Sequence, residues 1–237
     1  MPDVEAFATD PVEAIDFLRR KLNVPTQRWT DLWQEQHSVA FMVAGAQETA
    51  LVEDFHKAIN RAIAEGRTLA DFRKDFDSIV DEHGWNYNGS RNWRSKVIYE
   101  TNMRTAYAAG RWEQIQRVKK SRPYLRYVAV MDNRTREEHA AWHDTVLPVD
   151  DPFWQTHFPP NGWNCRCTVQ SLSASDVDRL GLAVSEAPAV EMVERTVRTA
   201  DGERAFMVPK GIDPGFAYRP GARPDETLRH ALDADEE

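Results

Sequence analysis

Cysteine is nearly absent from this 237-residue chain: it has two, Cys165 and Cys167, one residue apart. So few thiols, placed so close together, exclude the disulfide lattice that staples small secreted folds. Long apolar runs are missing as well, and none reaches the roughly 20 residues that a membrane-spanning helix needs. There is no glycine-rich phosphate loop, no Gly-x-Ser-x-Gly elbow and no His-Glu-x-x-His pair, so no familiar catalytic signature forces an enzymatic reading. Internal repeats and low-complexity tracts are also lacking. Residues 1–14, MPDVEAFATDPVEA, are acidic and without an apolar core, which predicts no secretory leader and residence in a reducing cytoplasm.

What is present suits a globular protein with a real core: 41% hydrophobic and 29% charged residues. The net charge of −8 is unevenly spread. The last thirteen residues, DETLRHALDADEE, set six acids against Arg229, whereas residues 91–126 set ten Lys/Arg against Glu100 and Glu113. The whole chain is too acidic to bind nucleic acid by net charge, but the basic stretch is either a solvated helix face or a surface for phosphates or an acidic partner.

The first half reads as helices. Asp10-Pro11-Val12-Glu13 is a helix start, followed by a Val12, Ile15, Leu18, Leu22 stripe. Trp29, Leu32 and Trp33 open a second helical pattern reaching about Val43. Leu51, Phe55, Ile59 and Ile63 define a third helix ending at Gly66. Thr68 and Asp71 cap a fourth, with Phe72, Phe76, Ile79 and Val80 inside and Gly84 at its end. A long helix is predicted from about Trp93 to Val118, with Val97, Thr101, Ala108, Trp112 and Ile115 facing inward.

After that the period changes. Tyr124–Met131 reads as a strand, Asp132-Asn133-Arg134 as a turn, and Thr135 to Glu138 as a capping box opening a helix that carries His139 and His143. Residues 149–164 form a long Pro/Trp loop, Cys165–Leu172 a strand, and Ser173 or Ser175 caps a short helix. Asp201-Gly202 joins the arms of a hairpin, Val193–Thr199 and Arg204–Val208. The expected fold is α+β: a helical N-terminal half, then a small mixed α+β unit with short strands. The expected divisions are an N-terminal helical region (1–90), a core (91–180), and a hairpin with an acidic, mobile tail (181–237).

Along a strand, residues i and i+2 share a face, so Cys165 and Cys167 project together while Arg166 points away. A disulfide between them is disfavoured, because extended backbone sets their α-carbons about 6.5 Å apart, near the limit of disulfide geometry. Two thiolates on one face suit a soft divalent ion. His139, with one of His143, His157 or Asp132, would complete a structural zinc site tying helix, loop and strand together. The alternative is two small buried apolar side chains beside a solvent-facing histidine pair. Glu137 and Glu138 are accounted for by the helix N-terminus, and Phe153 and Trp154 by anchoring the loop after an Asp151-Pro152 turn.

The series Asp132-x-x-Thr135-Arg136-x-x-His139, then Val146-x-Pro148-x-Asp-Asp151-Pro-Phe153-Trp154, then Pro159-Pro160-x-x-x-Asn164-Cys165-Arg166-Cys167 resembles the head-morphogenesis family of tailed bacteriophages, the phage Mu protein F-like minor head proteins. Tyr99-Glu-Thr-Asn-x-x-x-Ala-Tyr-x-x-Gly110 is similar to the lead-in helix of that family, and the likeness extends over about residues 10–172. Past Ser173 only Val208–Gly221, with Pro214-Gly215-Phe216 and Pro220-Gly221, looks familiar. Asp144 stands where a glycine is usual; aspartate tolerates the left-handed region, so the turn is expected to survive. The resemblance implies a minor capsid component, not an enzyme. It would sit in the capsid interior beside the portal protein, in the host cytoplasm during assembly, and assist head assembly and DNA packaging or delivery. Procapsid components, and packaged DNA through residues 91–126, are the partners implied, with no membrane. The competing readings are a metal-dependent hydrolase, nuclease or toxin-type enzyme built on the His/Cys cluster, and a DNA-binding module built on residues 91–126.

Overall fold

The computed structural model describes residues 11–222. The Asp10 cap and the acidic tail of residues 225–237 lie outside the described residues. Pro11 precedes α1 (Val12–Arg19), which buries Ala14, Ile15, Phe17 and Leu18. Val12 is exposed and Leu22 belongs to a two-residue strand, β1 (Leu22–Asn23), so the inward face is turned from the expected stripe toward Phe17.

No α-helix forms over residues 29–43. Two 3-10 turns, Trp29–Asp31 and Gln34–Ser38, lead into β2 (Ala40–Phe41), which pairs in parallel with β1. Polar side chains capture the backbone donors that a helix would have used. Asp31 Oδ2 accepts from Gln27 N and Arg28 N at 2.8 and 2.9 Å, and Gln36 Oε1 accepts from Trp33 N at 2.5 Å. Gln34, at φ 46°, then breaks any continuation.

Helices α2 (Thr49–Ala64) and α3 (Leu69–His83) follow the predicted stripes. Thr68 and Asp71 form a reciprocal capping box at the start of α3, and Gly84 ends it in the left-handed region. Ser90 caps α4 (Arg91–Val118), the longest helix of the described residues. Of the residues expected inward Ile115 is buried, but Val97, Thr101, Ala108 and Trp112 are only half-buried, and Ser95, Ile98, Met103, Thr105, Ala106, Ala109 and Gly110 are buried instead. The reason is that α4 serves two cores. Its first part packs on α1–α3 around Leu18, Phe41, Phe55, Phe72 and Phe76, and its end joins a second core built around Leu125, Tyr127 and Trp154. A single stripe cannot face two cores that lie on different sides. Gly110 lies where α1 crosses closest, since a β-carbon there would sit 2.7 Å from Ala14 N.

The second core wraps a three-stranded antiparallel sheet of order β4-β3-β5. Strand β3 (Tyr124–Val128) lies between β4 (Val146–Pro148) and β5 (Thr168–Leu172), with Tyr124 opposite both Pro148 and Leu172. A short helix, α5 (Glu137–Ala141), connects β3 to β4, and one turn of helix, α6 (Trp154–His157), lies within the Pro/Trp loop. Helix α7 (Ala174–Arg179) follows β5, capped by Ser173. The hairpin β6 (Met192–Thr199) and β7 (Gly202–Pro209) turns at Asp201-Gly202 as expected. The chain then returns across the molecule, burying Ile212, Phe216 and Tyr218. A row of aromatic contacts links these parts: Phe206 stacks on Trp33 at 4.4 Å, Trp33 on Trp29 at 5.9 Å, Trp29 meets Trp163 edge-on, and Trp163 meets Phe216. The architecture is α+β. No helix among the described residues is long and apolar enough to cross a membrane.

Candidate functional site

Three elements converge beside the sheet: the turn after β3, the start of α5, and the lead-in to β5. The cysteines sit just before β5, not within it, because the strand begins at Thr168. Asn164, in the left-handed region at φ 59°, turns the chain into that extended lead-in. The two-residue period still holds there. Cys165 Sγ and Cys167 Sγ lie 3.7 and 3.5 Å from the same atom, His139 Nδ1. His139 Nε2 lies 2.8 Å from Gly211 O, and a carbonyl only accepts, so Nε2 carries the proton and the Nδ1 lone pair faces the sulfurs. Cys165 and His139 are buried, and Cys167 is half-buried. The Cys165 thiol is held below its ordinary range chiefly by a hydrogen bond from Cys167, with further help from His139 and then the Asn161 backbone. Cys167 is pushed up by that neighbour and by burial.

Two other candidate ligands are used elsewhere. Helix α5 ends at Ala141, so His143 falls past its last turn and loses the i, i+4 alignment with His139. His143 Nδ1 accepts from Ala129 N at 3.2 Å instead. Asp132 receives a two-pronged clamp from Arg166, at 2.7 and 2.6 Å, and this hydrogen bonding holds its carboxyl well below the usual carboxylate range. Thr135 does not cap α5: its hydroxyl bonds back to Val130 O and to Asp132 Oδ1, closing the turn, and α5 starts two residues later.

The rest of the motif braces the loop. Asp151 Oδ1 accepts from Phe153 N at 2.9 Å, and the Trp154 indole, fully buried, donates to Pro148 O at 3.0 Å. Pro159 and Pro160 are buried and joined by a cis peptide, and Asn164 is exposed. Arg136 pairs with Asp213 at 2.7 Å, and Asp213 also accepts from Trp163 N at 2.8 Å. Tyr127 OH donates to Asn161 Oδ1 at 2.9 Å, at a fully buried asparagine. The sequence reading missed Tyr127, Asn161, Gly211 and Asp213. Only Asp213 carried a signal, as a lone carboxylate opening the turn Asp213-Pro214-Gly215.

His157 lies in the second core, stacked on Phe153 at 4.1 Å with its edge on Trp142. Burial pushes its imidazole down to about 4. The folded state therefore holds it neutral, while the unfolded chain takes up a proton below its ordinary value of 6.5. Its contribution is complete above 6.5 and is lost as pH falls through 4. Thermal denaturation across this window should show a stability loss of up to about 3 kcal/mol from this group. His157→Phe, which keeps the stack, should flatten that part of the profile; an unchanged slope would assign the loss to other groups.

Sheet, helix and loop thus define an α+β module whose proline- and tryptophan-rich loop is held rigid by side-chain clamps around a His/Cys cluster. Residues 53–170 match the family of Phage Mu protein F like proteins, and the chain belongs to that family. It is 36% identical over 241 residues to the putative capsid assembly protein F of Escherichia phage Mu, a match covering 90% of this chain and 54% of that protein. It is 37% identical over 183 residues to the Mu-like prophage FluMu F protein of Haemophilus influenzae, covering 73% of this chain and 44% of the relative. The chain spans about half the length of these curated relatives. No solved structure gives a significant match.

Proposed function

We propose that this chain is a minor head component that works inside the procapsid by docking on the portal protein, and that its role is assembly, not turnover. The alignment of 90% of the chain with a protein named for capsid assembly carries this reading. The clamped loop supports it, because a preorganised surface binds a protein partner with little ordering cost. The basic stretch supports a protein partner over packaged DNA. Among its ten cations, Arg91, Lys96, Arg104, Arg117, Lys119, Arg122 and Arg126 are ion-paired within the chain, and Arg94 is tied to Ala44 O. Among the described residues, only Arg111 and Lys120 of that stretch have no such partner. A hydrolase reading lacks a base, since no carboxylate of the described residues groups with His139, Cys165 and Cys167.

The test is co-expression of the tagged chain with the portal and major capsid proteins of the same genome. Recovery of portal in the pull-down, retained at moderate salt, is the expected outcome. Repeated recovery of DNA without portal would reject the assignment.

A further inference from the structure

We propose that His139 Nδ1, Cys165 Sγ and Cys167 Sγ hold one zinc-class divalent cation whose fourth ligand is a solvent molecule. The distances carry this. Zinc bonded at about 2.3 Å to sulfur and about 2.0–2.1 Å to nitrogen, at tetrahedral angles, places sulfur and nitrogen roughly 3.5–3.6 Å apart. The two sulfurs stand 3.5 and 3.7 Å from Nδ1, and all three ligand atoms lie within 4.8 Å of one another. A single S–H···N hydrogen bond would account for one of those sulfurs, but not for both converging on the same lone pair.

The surroundings are those of a metal ligand set. The Nε2–H of His139 donates to Gly211 O, the usual way a liganding imidazole is oriented. Thiolate with imidazole is a donor set that selects zinc over the hard cations. One ion would join α5, the lead-in to β5 and, through Gly211, the returning segment.

The fourth position falls to solvent because every nearby protein candidate is engaged. Tyr127 spends its phenol proton on Asn161, Asp132 is clamped by Arg166, and His143 accepts from Ala129 N. His157 Nδ1 bonds with the Thr156 hydroxyl. Both cysteines line a groove of about 260 Å³ open to solvent, with Arg104 and Arg111 in its walls.

The experiment uses the full chain, purified under reducing conditions with zinc present and then desalted. Elemental analysis should find about one zinc per chain in the native protein and in His143→Ala, and less than about one-tenth of an equivalent in Cys165→Ser/Cys167→Ser. Chelator should lower the native melting temperature by roughly 10 °C and leave the double variant unmoved. If the variant does not fold, the native chain reconstituted with cobalt decides, through near-ultraviolet thiolate-to-cobalt charge-transfer bands. Absence of those bands, less than about one-tenth of an equivalent of zinc in the native chain, or loss of zinc in His143→Ala would overturn the proposal. The site stands or falls independently of portal docking.

Discussion

Trp154→Ala is expected to cost this chain about 3–5 kcal/mol of folding stability, the largest single-residue effect in the second core. The indole is completely buried, lies edge-on to Phe153 at 5.3 Å, and donates to Pro148 O. Removal leaves a cavity between the loop and the sheet and takes from Pro148 O, at the end of β4, one of its two donors, leaving it the Asp151 N–H. Denaturant titration should show a lower midpoint. Because Trp154 sits on the loop and not in the first core, the helices α1–α3 should be the last part to lose amide protection in hydrogen exchange. A loss under about 1 kcal/mol would mean that the loop does not depend on this anchor.

Gly162→Ala is expected to be nearly as damaging, at about 2–4 kcal/mol, although only one methyl group is added. The new β-carbon would stand 2.3 Å from Arg136 Nη1 and 2.3 Å from Asp213 Oδ2. Asp213 cannot give way without losing both Arg136 and Trp163 N. The substitution therefore pries the α5 start, the loop and the returning segment apart together. If the steric account is right, Asp213→Ala should destabilise in its own right, and adding it to Gly162→Ala should cost less than the sum of the two single effects. Strict additivity in that cycle would disprove the coupling.

The portion of this structure legible in the sequence is the portion governed by near neighbours. Helices α2 and α3 came from four-residue apolar spacing and from Thr68, Asp71, Gly66 and Gly84, whose effects act within one turn of chain. The hairpin came from Asp201-Gly202. The common face of Cys165 and Cys167 came from the two-residue period, which survives although they precede the strand. Asp144 adopts the left-handed conformation, φ 65°, at the position where the family resemblance led to an expected glycine.

The misreadings have one source. Residues 29–43 carry a helical pattern of tryptophans, yet those tryptophans bind Phe206 and Trp163, which lie far along the chain. The face of α4 was misread because its two halves answer to different cores. His143 was grouped with His139 on spacing alone, and α5 proved too short to align them.

Taken by itself, the sequence determined the family, the α+β class, most helices with their caps, and the shared direction of the two thiols. Those follow from periodicity and short-range hydrogen bonding, which act over a few residues. Tertiary structure alone decided that neither His143 nor Asp132 joins His139 at the sulfurs, that Gly211 orients that imidazole, and that Asp213 closes the loop from fifty residues away. Such choices depend on which surfaces the cores bring within contact distance. A hydrogen bond or a ligand bond acts over about 3 Å, and no spacing rule reports which distant segments will come that close.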